Sequence, residues 1–141
     1  MDEILDRYRE ALKAGHLALR TGSLDEALRW YRNAAAIADH RPVPHTSIGD
    51  VMLRMGRVDD SLVAYSRALD RAPGDAAALN GRARALFSAG RPAEAALDLE
   101  GLAAVQASQG DRAAAIATLS RALKLEGGHQ RERLLRDLRR G

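Results

Sequence analysis

Residues 22–34 read Gly22-Ser-Leu-Asp-Glu-Ala27-Leu-Arg-Trp-Tyr31-Arg-Asn-Ala34, and 34 residues further on residues 56–68 read Gly56-Arg-Val-Asp-Asp-Ser61-Leu-Val-Ala-Tyr65-Ser-Arg-Ala68. After another 34 residues comes Gly90-Arg-Pro-Ala-Glu-Ala95-Ala-Leu-Asp-Leu99. Each glycine stands where a helix should stop, because a left-handed residue costs glycine least, and each is followed by an apolar, alanine-rich helical segment. Seven residues ahead of the three glycines stand Gly15, Gly49 and Ala83. A fixed period of this length marks internal repeats, units stacked so that each buries the face its neighbour leaves open. The third interval departs from the period: Gly90 to Gly110 is 20 residues, short by one helix and its turn. Residues 92–108 are therefore expected to form one helix that serves two units. Leu134, Leu135 and Leu138 give the last helix an apolar stripe suited to a cap.

Local signals agree. The expected helices are about 2–20, 24–40, 44–54, 58–71, 76–89, 92–108, 112–126 and 129–140, with no strand. Ser23-Leu-Asp-Glu26 has the spacing of a capping box; Asp75 and Asp111 are further cap candidates; Pro44 and Pro92 suit a first helical turn, where a missing N–H is not needed. Gly15, Gly49, Ala27, Ala34 and Ala68 are expected at close helix contacts.

The composition excludes several classes. The 141 residues suit a single domain, and 46% hydrophobic residues suffice for a core. There are 28 Ala, so small side chains must do much of the packing. The absence of Cys removes disulfides, thiolate metal sites and cysteine nucleophiles. No apolar run approaches the ~18 residues of a membrane span, and the acidic start Asp2, Glu3, Asp6 does not resemble a secretory signal. A cytoplasmic location is the expectation. The net charge of +3 sits in residues 129–141, where Arg131, Arg133, Arg136, Arg139 and Arg140 face Glu132 and Asp137; the body is neutral. His16, His40, His45 and His129 lie apart from one another, with no metal-ligand spacing. No phosphate loop or nucleophile–base pattern occurs. Neither a cofactor, a metal nor catalysis is expected.

The 34-residue period, the small residues Gly15, Ala27 and Ala34, Gly49, Ser61 and Ala68, the aromatics Tyr31 and Tyr65, and Pro73 at the end of the second unit resemble the tetratricopeptide repeat family. The resemblance spans about residues 8–126, in units of about 8–41, 42–75 and 76–109 with overlap into 96–127, and a capping helix over about 129–140. It departs from the family pattern at Ala11, His45 and Leu79, where an aromatic is missing, and at Asp39, where the first unit lacks its proline.

The resemblance implies an all-α solenoid of antiparallel helix pairs whose first helices line a concave groove for a peptide or a partner helix. Groove-facing residues by that alignment are Arg9, Leu12, His16, Leu19 and Arg20, then Val43, Thr46, Asp50, Leu53 and Arg54, then Ala77, Asn80, Arg84, Phe87 and Ser88. An apolar row of Leu19, Leu53 and Phe87 thus runs beside Arg20, Arg54 and Arg84, which suits a partner with hydrophobic anchors and carboxylates. The family's carboxylate clamp is not matched, since its five places hold Leu12, His16, Ser47, Ala77 and Gly81. The implied function is an adaptor, a small bacterial scaffold or a chaperone, with a protein or peptide as partner. A self-associating module, a homo-oligomer, is the alternative. Nucleic-acid binding through the basic C-terminus stands third, because a binder usually shows a basic face across the domain.

Overall fold

The computed structural model describes residues 2–141, and its described residues form eight helices without a strand. They are α1 (Glu3–Arg20), α2 (Leu24–Ile37), α3 (Pro42–Arg54), α4 (Val58–Arg71), α5 (Ala76–Ser88), α6 (Pro92–Ser108), α7 (Arg112–Leu125) and α8 (His129–Arg140). The chain divides into two compact units, 1–75 and 76–141. In the first, α1 pairs with α2 and α3 with α4, and α2 packs on α3. In the second, α6 packs against α5 and also against α7, and α7 carries α8. Helix α6 is thus packed against both of its neighbours in the chain.

One turn recurs at four helix ends. Gly22 has φ 81°; its N–H donates to the Leu19 carbonyl, and the Ser23 N–H donates to the Ala18 carbonyl. This Schellman geometry satisfies two carbonyls left over at the end of α1. The same pair of bonds closes α3 at Gly56, α5 at Gly90 and α6 at Gly110.

That turn also corrects one expectation. Ser23 stands at the start of α2 but its side chain makes no capping bond. In a capping box Glu26 would take the Ser23 N–H, and the Schellman bond to Ala18 already uses it. Asp111 does cap α7, accepting from the Ala114 N–H. Helix α3 begins at Pro42, two residues before the expected Pro44, and α2 ends at Ile37 instead of residue 40. Arg41, ahead of a proline, is extended at φ −89° and ψ 137°, as the steric demand of the ring requires.

The core is built largely from small residues, with the buried rings of Tyr8, Tyr31 and Tyr65 among them. Ala27, Ala34, Ala68, Ala95, Ala115 and Ala122 are fully buried. In the first unit Ala18, Leu28, Tyr31, Val51 and Met52 cluster with Ala27, and Tyr8, Ala11, Ala34 and Ala38 form a second cluster. Tyr31 packs against Gly15, where a methyl group would come 2.6 Å from its Cε1; Tyr65 stands in the same relation to Gly49. Only a residue without Cβ lets the helix approach the ring this closely.

Two ion pairs tie helices together. Arg82 on α5 grips Asp98 on α6 with two bonds of 2.8 Å, and the aspartate side chain is 8% exposed. Arg131 on α8 donates to Glu100 of α6 and to the Glu126 carbonyl. One of the five C-terminal arginines thus anchors α8 through a side chain, together with the buried Leu135.

Candidate functional site

In the first unit, the residue after each ring-contacting glycine meets the hydroxyl of that ring. His16 Nδ1 lies 2.6 Å from the Tyr31 hydroxyl, and the Tyr65 hydroxyl donates to Asp50 over 2.5 Å. Burial, then the nearby Asp50 charge, pushes the Tyr31 phenol above its ordinary range, against a hydrogen bond with Ser47 and the Arg54 charge. His16, Ser47, Asp50 and Arg54 thus surround the outer end of Tyr31. Of the other groove candidates in this unit, Arg9, Arg20, Val43 and Arg54 are exposed, and Leu12, Leu19 and Leu53 are half-buried. Leu12 and Leu19 pack on the core. Thr46 is buried, its hydroxyl 3.1 Å from an Asp75 carboxylate oxygen.

In the second unit Phe87 is 60% exposed, unusually so for a phenylalanine, and Arg84, Ala77 and Ser88 are exposed with it. A cavity of about 390 Å³ opens beside them, lined by Ala83, Arg84, Phe87 and Ser88 of α5, Leu99 of α6, and Arg121, Lys124 and Leu125 of α7. Arg121 reaches Asn80 at 3.5 Å. The α7 residues escape a reading by repeat position. Their place beside α5 follows from α6 serving both neighbours, and no local pattern marks it. The tyrosine hydroxyls escape it too, because a ring assigned to the core hides that its tip reaches the groove residues.

The first unit has its own cavity, of about 440 Å³, whose lining includes Arg32, Arg57, Arg67, Asp39, Asp60 and His45. His45 is buried at 4%, with Nε2 3.2 Å from the Asp39 carbonyl oxygen. Among the described residues no group of three or more His, Asp or Glu side chains could hold a metal ion, and no helix is long and apolar enough to cross a membrane.

The tetratricopeptide repeat family model matches residues 46–108. "Protein CTR9 homolog" of Arabidopsis thaliana is 37% identical over 68 residues, 48% of this chain and 6% of that protein's length. Among the solved structures that resemble the fold, at a TM-score of 0.78, are two complexes. The yeast Sti1 TPR2B domain in complex with an Hsp70 peptide is 14% identical, with 84% of this chain and 95% of that one covered. PcrH in complex with the chaperone-binding region of PopD is 15% identical, with 89% and 93% covered. The family match thus covers residues 46–108, and the likeness of fold to these structures extends over most of the chain.

Proposed function

We propose that the chain is a protein-interaction module, an adaptor, scaffold or chaperone, that takes a peptide or partner helix on the exposed faces of its first helices. The observation that carries this reading is Phe87: a large apolar side chain, 60% exposed, beside the exposed Arg84 and an open cavity. Isolated surface apolar residues are ordinary, but one bordering a cavity with cations at hand has the composition of a binding hot spot. In the first unit Leu19 with Arg20 and Leu53 with Arg54 repeat the pairing of an apolar side chain with an arginine. The peptide and chaperone complexes among the structural neighbours support the reading.

Panning a random peptide library on the immobilised chain tests it. Peptides so selected should lose most of their affinity for Phe87→Ala, while that variant melts close to the parent temperature, since truncating an exposed side chain changes stability by about 0.5 kcal/mol or less. Selected peptides that bind Phe87→Ala, Arg54→Glu and Arg84→Ala as well as the parent would remove the first-helix faces from consideration. Self-association is favoured by a separate feature, Leu97 on α6, which is also 60% exposed. Light scattering of the parent and of Leu97→Glu addresses it, and a monomer at all concentrations ends that alternative.

A further inference from the structure

The two repeats of the first unit and the third repeat solve the same packing problem differently. Tyr31 lies on Gly15 and ends on His16; Tyr65 lies on Gly49 and ends on Asp50. At the equivalent places of the third repeat stand Leu99, Ala83 and Arg84. The exchange is paired. A methyl at the glycine place comes 2.6 Å from the ring, so an alanine there forces ring and helix apart. Leucine does not extend as far as a phenol and carries no hydroxyl to meet Arg84.

The cavity of the second unit lies at these three places. Ala83, Arg84 and Leu99 all line it, with Phe87 and Leu125 adding apolar wall. Three cations, Arg84, Arg121 and Lys124, border it, and all three are exposed. No carboxylate lines it. Its volume of about 390 Å³ falls in the range of ~300–1,000 Å³ usual for small ligand sites. The cavity of the first unit differs in charge: Arg57 there is paired with Asp60, and Asp39 also lines it, so positive and negative groups alternate.

We propose that the second-unit cavity is an anchor subsite for an aromatic side chain of an acidic peptide. The peptide's ring takes the place of the missing repeat tyrosine, and flanking carboxylates meet Arg84, Arg121 and Lys124. Apolar walls reward the ring by excluding water, and guanidinium groups favour carboxylates over other acceptors. Burying the ring fixes the register, and the cations select an acidic sequence. The proposal rests on the peptide-binding reading above and names the chemistry of one of its contacts.

The test uses the full chain and a fluorescent heptapeptide, Glu-Asp-Glu-Tyr-Asp-Glu-Glu, followed by anisotropy. Replacing the peptide's tyrosine by glycine should weaken binding about tenfold or more, as loss of an anchor does. The decisive variant is Ala83→Gly with Leu99→Tyr, which restores the glycine–tyrosine pair and fills the subsite with the chain's own ring. It should keep the helical circular dichroism and melting temperature of the parent and lose peptide affinity to the same degree. Leu99→Tyr alone should melt lower, because its ring meets the Ala83 methyl. Arg121→Glu with Lys124→Glu is a second, surface variant and should likewise abolish binding of this peptide. Parent protein that fails to prefer tyrosine over glycine, or a folded double variant that binds within about twofold of the parent, overturns the subsite. If library-selected peptides still depend on Phe87 or Arg54 in that event, the wider reading stands without it. If they depend on neither, both fail.

Discussion

Gly49 allows the Tyr65 ring to approach, and the cost of any larger residue there is steric. Gly49→Ala places a methyl 2.6 Å from Tyr65 Cε1, and the ring cannot retreat because the side chain is fully buried. A loss of about 1–3 kcal/mol is expected, as for other overpacked cores. Gly22→Ala meets nothing within 4 Å, and its cost is confined to the positive φ. Thermal melts of the two variants compare crowding with backbone strain. Gly49→Ala should be rescued by adding Tyr65→Leu, which supplies the third repeat's combination; no rescue would show that the contact is not limiting. The sequence reveals both glycines by their period, and it reveals Tyr31 and Tyr65 as ring positions. It does not reveal that the hydroxyls end on His16 and Asp50, since a hydrogen bond across two helices depends on how far each helix is turned about its axis.

Between elements, buried charge and exposed charge behave differently. Asp98 is buried on α6 and Arg82 holds it from α5. Arg82→Ala leaves that carboxylate without its guanidinium, and a loss of about 2–3 kcal/mol in a urea melt is expected, below the usual range for a fully buried pair because Arg82 itself is 30% exposed. A melt unchanged from the parent would show that water replaces the arginine. The tie between α2 and α4 is different. Asp39 follows α2, and Arg71 at the end of α4 donates to its carboxylate over 2.7 Å and to its carbonyl oxygen. The Arg71 hydrogen bond, followed by the charges of Arg71 and His45, holds the Asp39 carboxyl below its ordinary range. A depressed carboxylate contributes stability above its unfolded pKa of about 3.9 and loses it as pH falls through the lower folded value. Asp39→Asn should therefore melt slightly lower than the parent at neutral pH, and the gap should close in acid. A gap that persists at pH 2 would assign the effect to the carbonyl side of the turn. The element boundaries were mostly legible: α4, α6 and α8 fall where the capping and period signals put them. The end of α2 was not, because Asp39 and its carbonyl are drawn to Arg71 and His45 by contacts distant in sequence.

At the scale of the whole chain, units 1–75 and 76–141 each have an interior of their own. Repeat proteins derive stability from each unit and its nearest neighbours, and the first unit holds two buried clusters built entirely from α1, α2 and α3 with the residue following α2. A fragment of residues 1–75 should keep helical circular dichroism and a cooperative melt, at a lower temperature than the full chain; a featureless melt would show that its core depends on residues beyond Asp75. The repeat architecture was legible because period and turn glycines are properties of sequence spacing. The cation-bordered cavity was not, because its wall joins residues of α5, α6 and α7 that no spacing in the sequence relates. The mutual exclusion of methyl and ring has a historical consequence as well. A repeat converting glycine with tyrosine into alanine with leucine by single steps has two routes, and one passes through alanine facing tyrosine, a clash at 2.6 Å. The route that loses the ring first and gains the methyl second avoids that clash. On that route the pocket opens before the alanine enters its wall, so the space is at a lineage's disposal from the first substitution onward.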